Sequence, residues 1–341
     1  MATAHQKNKS RLSENTSLHY LLHSGKNSKF LYYLRVVSRD MLPDRYFRKR
    51  LQHELARGRR MYDEAYVNDR VNYYCQLQTP VDLGEDAPRL GDLHRKGHNS
   101  TYYYDSREII AWFPHELKWR YQYGDVREIP ALPTIVKSRN LQPDNVNSVL
   151  LKLDKCLHFV YLHDKIPFVE KRDMAIFRGQ VGARENRIRF VQQFGNHPRI
   201  DAANTLAKSK LFADNPDGNR VVPKLSLYDH LKYKYIMSLE GNDVASNLKW
   251  IMSSNSLAVT PRLTCETWFM EGRLQGGIHF VEIQPDYSDL IEKMDFYTSH
   301  PNAAEQIIRN ANAYVDQFRD ERRERYIALR VMEHYLDLCN P

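Results

Sequence analysis

The stretch Tyr233-Lys-Tyr-Ile-Met-Ser-Leu-Glu-Gly-Asn-Asp-Val-Ala-Ser-Asn-Leu-Lys-Trp-Ile-Met-Ser-Ser-Asn-Ser-Leu-Ala-Val259 decides how this chain is read. Tyr235, Ile236, Met237 and Leu239 predict a short buried strand. Glu240-Gly241-Asn242-Asp243 is a tight polar turn, residues 244–254 carry the pattern of an amphipathic helix, and residues 256–259 start the next strand. A strand that stops at such a turn and enters a helix sets backbone N–H groups at the helix N-terminus. In an α/β domain that is where a phosphate or carboxylate is held most readily.

Outward from this segment the alternation continues. Residues 174–177 predict a strand ending at Arg178-Gly179, residues 184–194 a helix, residues 199–202 a strand, and residues 213–222 a polar loop. A brief helix is expected at 225–231, a helix at 265–271, a strand at 280–283 and two closing helices at 301–318 and 322–338. Strands alternating with helices imply a mostly parallel sheet with right-handed crossovers. The first half is less regular. Residues 1 to about 15 are polar and expected to fray, helix is expected from about 28 to 60 with a break at Pro43, and residues 78–101 read as loop. Residues 102–104 and 132–137 look like strands, and 147–156 fits helix or strand equally. The fold class is α/β, with two α/β halves and a cleft between them.

The chain has 341 residues, 42% apolar and 27% charged, as suits a soluble globular protein, and no run approaches the ~20 apolar residues that span a bilayer. No secretory leader pattern opens it. Cys75, Cys156, Cys265 and Cys339 are scattered without metal spacing and read as reduced thiols of a cytoplasmic protein. Net charge is +8, and Arg45, Arg48, Lys49, Arg50, Arg57, Arg59 and Arg60 concentrate it in the N-terminal third. Such a cluster suits an anionic membrane surface, a phosphorylated glycolipid or nucleic acid, or else a solvated helix face.

Four groups of residues can carry chemistry. Arg178, before Gly179 at a strand's carboxyl end, can grip a diphosphate through paired hydrogen bonds, or simply form a salt bridge. Glu240, Gly241, Asn242, Asp243, Ser246, Asn247 and Lys249 offer carboxylates, close backbone approach and phosphate contacts, although an Asp at that place is also a common helix cap. Glu266 and Glu271 are five residues apart and lie on different faces of a straight helix, so they cannot both serve one metal without help, and Glu266 can contact the donor or complement the helix dipole. Asp125 follows Gly124 on a loop and can take a proton from a hydroxyl. There is no P-loop, GxGxxG, HExxH or Asp-x-Asp pair, so no metal site is expected.

Phe177-Arg-Gly, the block from Lys232 to Trp250, and Glu266-Thr-Trp-Phe-Met-Glu-Gly resemble glycosyltransferase family 90. Gly124-Asp-Val followed by Pro130, Pro133 and Val136-Lys-Ser-Arg is similar to its bacterial lipopolysaccharide-core branch. The resemblance covers about residues 110–335. It implies a GT-B architecture of two Rossmann-like lobes: residues 1–165, completed by a returning helix at about 320–341, would bind the acceptor, and residues 166–319 the nucleotide-sugar. It also implies inverting, metal-independent transfer of a hexose or pentose from a UDP-sugar to a glycan or glycolipid acceptor, by a cytoplasmic enzyme in peripheral contact with the inner membrane. Arg178 would hold the diphosphate, residues 240–249 the nucleotide and phosphates, and Asp125 would be the general base. Eukaryotic members keep an Arg and a second basic residue where Asn247 and Lys249 stand. The alternative is a non-catalytic nucleic-acid- or membrane-surface-binding protein, suggested by the charge and 22 tyrosines.

Overall fold

A computed structural model describes residues 24–95, 100–205 and 221–341. The expected frayed start and most of the polar loop at 213–222 lie outside the described residues. The first half is helical: α1 (Lys29–Asp40), α2 (Asp44–Arg48), α3 (Leu51–Met61), α4 (Glu64–Tyr74) and α5 (Ser100–Ile110). Pro43 separates α1 from α2, as its missing N–H requires. A small parallel sheet follows, β1 (Tyr121–Gln122), β2 (Thr134–Val136) and β4 (Ser148–Leu150), while β3 (Ser138–Asn140) leaves it to pair elsewhere. After the single turn α6 (Lys155–His158) come β5 (Arg172–Gly179), α7 (Glu185–Phe194), β6 (Ile200–Asn204), α8 (Leu227–His230), β7 (Tyr233–Met237), α9 (Leu248–Met252), β8 (Leu257–Pro261), β9 (Cys265–Thr267) and β10 (Val281–Ile283). The described chain closes with α10 (Leu290–Ser299), α11 (Pro301–Asp316) and α12 (Glu321–Cys339).

Five strands form one parallel sheet in the order β10-β8-β7-β5-β6. Side chains alternate across it. Ala175, Phe177, Tyr235, Met237, Leu257, Val259, Val281 and Ile283 enter a core under α7, α10 and α11. Ile176, Ile236 and Ala258 face the other way, into a larger core that continues through the small sheet to α4, α5 and α12. Helix α12 packs on α3, α4 and α5, returning the C-terminus to the first half. The antiparallel pair β3–β9 joins residues 138–140 to 265–267.

Three expectations are overturned. Residues 102–104 are helical, within α5, because tertiary packing outweighs aromatic strand propensity: Tyr102 stacks on Tyr123 with centroids 5.1 Å apart. Residues 265–271 are not a helix. Cys265–Thr267 pairs with Ser138–Asn140, and Met270 then takes a left-handed conformation (φ 55°) that ends any helical run. The helix expected at 244–254 is only α9, since Gly241 to Asn247 are spent in turns. Residues 147–156, open between two states, contain a strand and then the start of α6.

One buried acid gives the fold a pH signature. Asp105, on α5, accepts from Tyr32 Oη and the Lys155 N–H, both at 2.9 Å. Burial pushes its pKa up to about 6 despite the nearby Lys155 ammonium. Because this lies above the unfolded value of about 3.9, Asp105 favours the folded state below about pH 4, and that contribution fades as pH rises through about 6. Thermal unfolding between pH 5 and 7.5 should show the wild-type Tm falling relative to Asp105→Asn as pH rises and then levelling. A pH-independent difference would contradict this.

Candidate active site

Counted in chain order, the five strands run 2-1-3-4-5, so β5 and β7 are neighbours whose connections leave in opposite directions. At such a switch point the crossovers part and leave a crevice outside the carboxyl ends. The crevice is present. A cavity of about 650 Å³ opens off the ends of β5 and β7, lined by Arg178, Gly179 and Arg187 on one side and Leu239, Ser246 and Asn247 on the other. Asp154 and Thr101 line it from the first half of the chain. Arg178 also donates to Asp201 on the adjacent strand β6, so the salt bridge and the cavity position coexist.

A second, more polar cavity of about 750 Å³ is lined by Asp125, Arg127, Arg184, Asn186, Glu240, Gly241 and Asn242. Gly124 takes φ 106°, a left-handed conformation that costs a residue with a Cβ, and so turns Asp125 into this space. The Asp125 carboxylate accepts from Lys137 Nζ at 2.6 Å and Asn242 Nδ2 at 2.9 Å. Burial would raise its pKa, but these donors, Lys137 foremost, hold it below the usual carboxylate range. Lys137 also pairs with Asp243 at 2.8 Å, and Ser138 Oγ donates to the same Asp243 carboxylate at 2.6 Å. Asp154 feels the same ammonium, yet burial raises its pKa. One buried ammonium thus pairs with carboxylates from two separate stretches of chain, Asp125 and Asp243. A third cavity of about 1230 Å³ shares Arg127, Asn186 and Glu240 with the Asp125 space and extends past Glu266. Although larger, it lies away from the β5/β7 switch point, and size alone does not mark the reacting centre.

The structure therefore distributes the sequence-selected residues unevenly. Arg178, Gly179, Ser246 and Asn247 share the switch-point cavity, and Asp125, Gly241 and Asn242 share the next one. Asn247 is partly committed, donating to Met237 O at 2.9 Å and holding the end of β7. Glu240 lines both polar cavities but accepts from the Thr264 and Cys265 N–H groups at 2.9 and 3.2 Å, clasping the turn before β9. Asp243 is buried against Lys137 and Ser138 rather than capping a helix. Lys249 is fully buried and paired with Glu271 at 2.7 Å, outside the lining of the switch-point cavity. Glu266 is buried on β9 in a 2.7 Å pair with Arg139 and accepts from Tyr73. The helix expected from residue 244 begins only at Leu248, which moves its N-terminus to Asn247, a residue that lines the switch-point cavity.

Arg187, Lys137 and Asp154 were given no role in the sequence reading, although Lys137 stands in the Val136-Lys-Ser-Arg motif. Arg187 donates to Leu239 O at 2.7 Å and Glu240 O at 3.1 Å, locking the turn, and burial followed by Arg184 lowers its pKa to about 10. Gly241 lets the turn lie close beside it: a Cβ there would stand 3.1 Å from Arg187 Nη2, a tight contact. The usable signal was spacing, since Arg187 lies on the helix that follows Arg178-Gly179. Among the described residues no group of three or more His, Cys, Asp or Glu side chains is placed to hold a metal ion.

Comparison with known proteins gives the family of the chain. Residues 150–340 match the model of "Glycosyl transferase family 90". Over 315 residues, 92% of this chain and 96% of the relative, the sequence is 41% identical to "O-glucosyltransferase LpsA" of Dichelobacter nodosus. It is 22% identical over 151 residues to "Protein O-glucosyltransferase 1" of Homo sapiens, covering 44% of this chain and 38% of that protein. For "Protein O-glucosyltransferase 3" of Homo sapiens the figures are 25% over 142 residues, 42% of this chain and 27% of that protein. The chain belongs to glycosyltransferase family 90 and is a glycosyltransferase.

Proposed function

We propose that this glycosyltransferase moves a sugar from a UDP-sugar to a glycan or glycolipid acceptor, of the lipopolysaccharide-core class, by a single inverting displacement without a metal ion. The observation that carries this reading is the cavity at the β5/β7 switch point, with Arg178 and Arg187 on its wall. The donor's diphosphate belongs there, where two guanidiniums can stabilise the charge that develops as UDP departs. Asp125, ionised and turned into the adjoining space, takes the proton from the acceptor hydroxyl as the new bond forms. The Lys137 ammonium, paired with Asp125 and Asp243, supports a site that works without a divalent cation. We read the two sheets as the lobes of a GT-B enzyme, with residues 1–165 and the returning α12 on the acceptor side, in a cytoplasmic protein. The name of the 41% identical relative, an O-glucosyltransferase, makes UDP-glucose the first donor to test. The family match and the switch-point cavity favour catalysis over a purely binding role.

The test is titration calorimetry with UDP and UDP-glucose in the presence of EDTA, followed by a donor screen with UDP-galactose, UDP-xylose and UDP-N-acetylglucosamine. Binding without added metal is expected, and no binding to any UDP-sugar would reject the reading. Arg178→Ala should weaken UDP binding by about 10- to 100-fold, the loss of one or two charge-assisted hydrogen bonds. Unchanged affinity would remove Arg178 from the diphosphate site.

A further inference from the structure

Helix α1 is seated by one face only. Tyr32 Oη donates to Asp105, Tyr33 pairs with Ser100 at 2.6 Å, Arg39 pairs with Glu108 at 2.6 Å, and Val36 is buried between them. The opposite face is apolar and open. Phe30, Leu34, Val37 and Met41, spaced i, i+4, i+7 and i+11, form one stripe, with Phe30 73% and Met41 80% exposed. Exposed Leu31, Leu42 and Tyr46 widen it. A contiguous exposed patch of large apolar side chains marks an interaction site.

The charge beside the stripe says what kind of surface fits. Residues 29–61 carry ten Lys and Arg against three Asp and Glu, seven of the eight net positive charges of the chain. Two of those acids, Asp40 and Asp44, are taken by Arg107, and Glu54 sits 3.9 Å from Arg57. No acid of the segment is left for Arg45, Arg48 and Lys49. No described helix is long and apolar enough to cross a membrane. An apolar helix face flanked by unneutralised basic side chains has the make-up of a helix that lies in a lipid interface.

We infer that α1 and the basic segment after it, α2 with Lys49 and Arg50, form a docking surface for an anionic lipid bilayer. The apolar stripe enters the acyl boundary, and Arg45, Lys49 and Arg50 meet phosphate headgroups. Nucleic acid fits less well, because it offers no acyl phase for aliphatic side chains such as Leu31, Leu34 and Met41. The switch-point cavity opens beside the start of this helix, where Lys26, Asn27, Lys29 and Tyr33 line it. A bilayer on α1 therefore lies at the mouth of the site, and a lipid-linked acceptor would reach it without leaving the membrane. Only that last consequence rests on the glycosyl-transfer reading; the lipid contact stands on the helix itself.

The test is cosedimentation of the full chain, without nucleotide, with vesicles of phosphatidylglycerol and phosphatidylcholine and with vesicles of phosphatidylcholine alone. Binding to the anionic vesicles is expected, weakening as salt rises. Phe30→Ser/Leu34→Ser/Met41→Ser should lower it by about 10-fold or more. Arg45→Glu/Lys49→Glu, which leaves the stripe intact, should do the same. Both variants should keep wild-type circular dichroism and UDP affinity. The inference is overturned if wild-type protein stays in solution with anionic vesicles, or if the serine variant sediments like wild type. A dimer seen by light scattering and dissolved by the serine variant would assign the face to a second copy and overturn it. RNA binding that only the charge variant loses, without vesicle binding, would do so too. Because no nucleotide is present, failure here leaves the donor reading untouched, and failure of UDP binding leaves this result standing.

Discussion

Asp125→Asn is expected to lower sugar transfer by about 10²- to 10⁴-fold while leaving UDP affinity nearly unchanged. The carboxylate lines the cavity next to the switch-point site and is kept ionised by Lys137 and Asn242. Asparagine matches its shape and can still accept from Lys137, but it cannot receive a proton. The Lys137–Asp243 pair remains to hold the local structure. Initial rates with UDP-glucose and an acceptor, set beside calorimetric UDP affinity, separate the two effects. A large loss of UDP affinity would show that Asp125 acts in donor binding instead. Asp154→Asn is the informative companion, since Asp154 lines the donor cavity itself and burial raises its pKa. If Asp154→Asn abolishes transfer and Asp125→Asn does not, the proton goes to Asp154.

Arg70→Leu is expected to destabilise the protein by about 3–5 kcal/mol, the cost of leaving a buried charge without its partner. Arg70 on α4 is fully buried and meets Glu324 on α12 through two contacts, at 2.5 and 3.0 Å. Trp268 Nε1 donates to the same carboxylate at 2.6 Å, and the Trp268 ring stacks on Tyr74 at 3.8 Å. This cluster ties the first-half helices to the turn after β9 and to the C-terminal helix. Urea unfolding gives the loss directly. Arg70→Leu/Glu324→Leu should recover part of it, because removing that pair also removes its desolvation penalty, less the cost to Lys152, which stands 3.8 Å from Glu324 and loses that partner. A double variant no more stable than Arg70→Leu would show that packing, not the unpaired charge, sets the cost.

How much was legible depended on the range of the interactions. The strands around residues 174–177, 235–239 and 257–259 were readable because a parallel sheet covered on both faces demands short continuous apolar runs. Arg178-Gly179 was readable because a polar pair at the end of such a run has few places to go. Lys249 was misleading: one helical turn from Ser246 it looks like a phosphate ligand. Its partner, Glu271, lies 22 residues further on, and only the fold shows that the pair is buried. Glu266 was placed on a helix, because nothing local announces that residues 265–267 will pair with 138–140.

The sequence by itself determined the α/β class, the strand that ends at Arg178, the polar turn at 240–243 and the likeness to a glycosyltransferase family. Each of these is written in neighbouring residues, through apolar period, turn chemistry and motif. Tertiary structure alone decided that β5 and β7 stand side by side and open a cavity, and that Lys137 gathers Asp125 and Asp243. It also decided that α1 turns an apolar face outward. Those facts depend on which distant segments share a sheet, a buried charge or a helix face. Long-range packing decides such questions after local propensity has had its say.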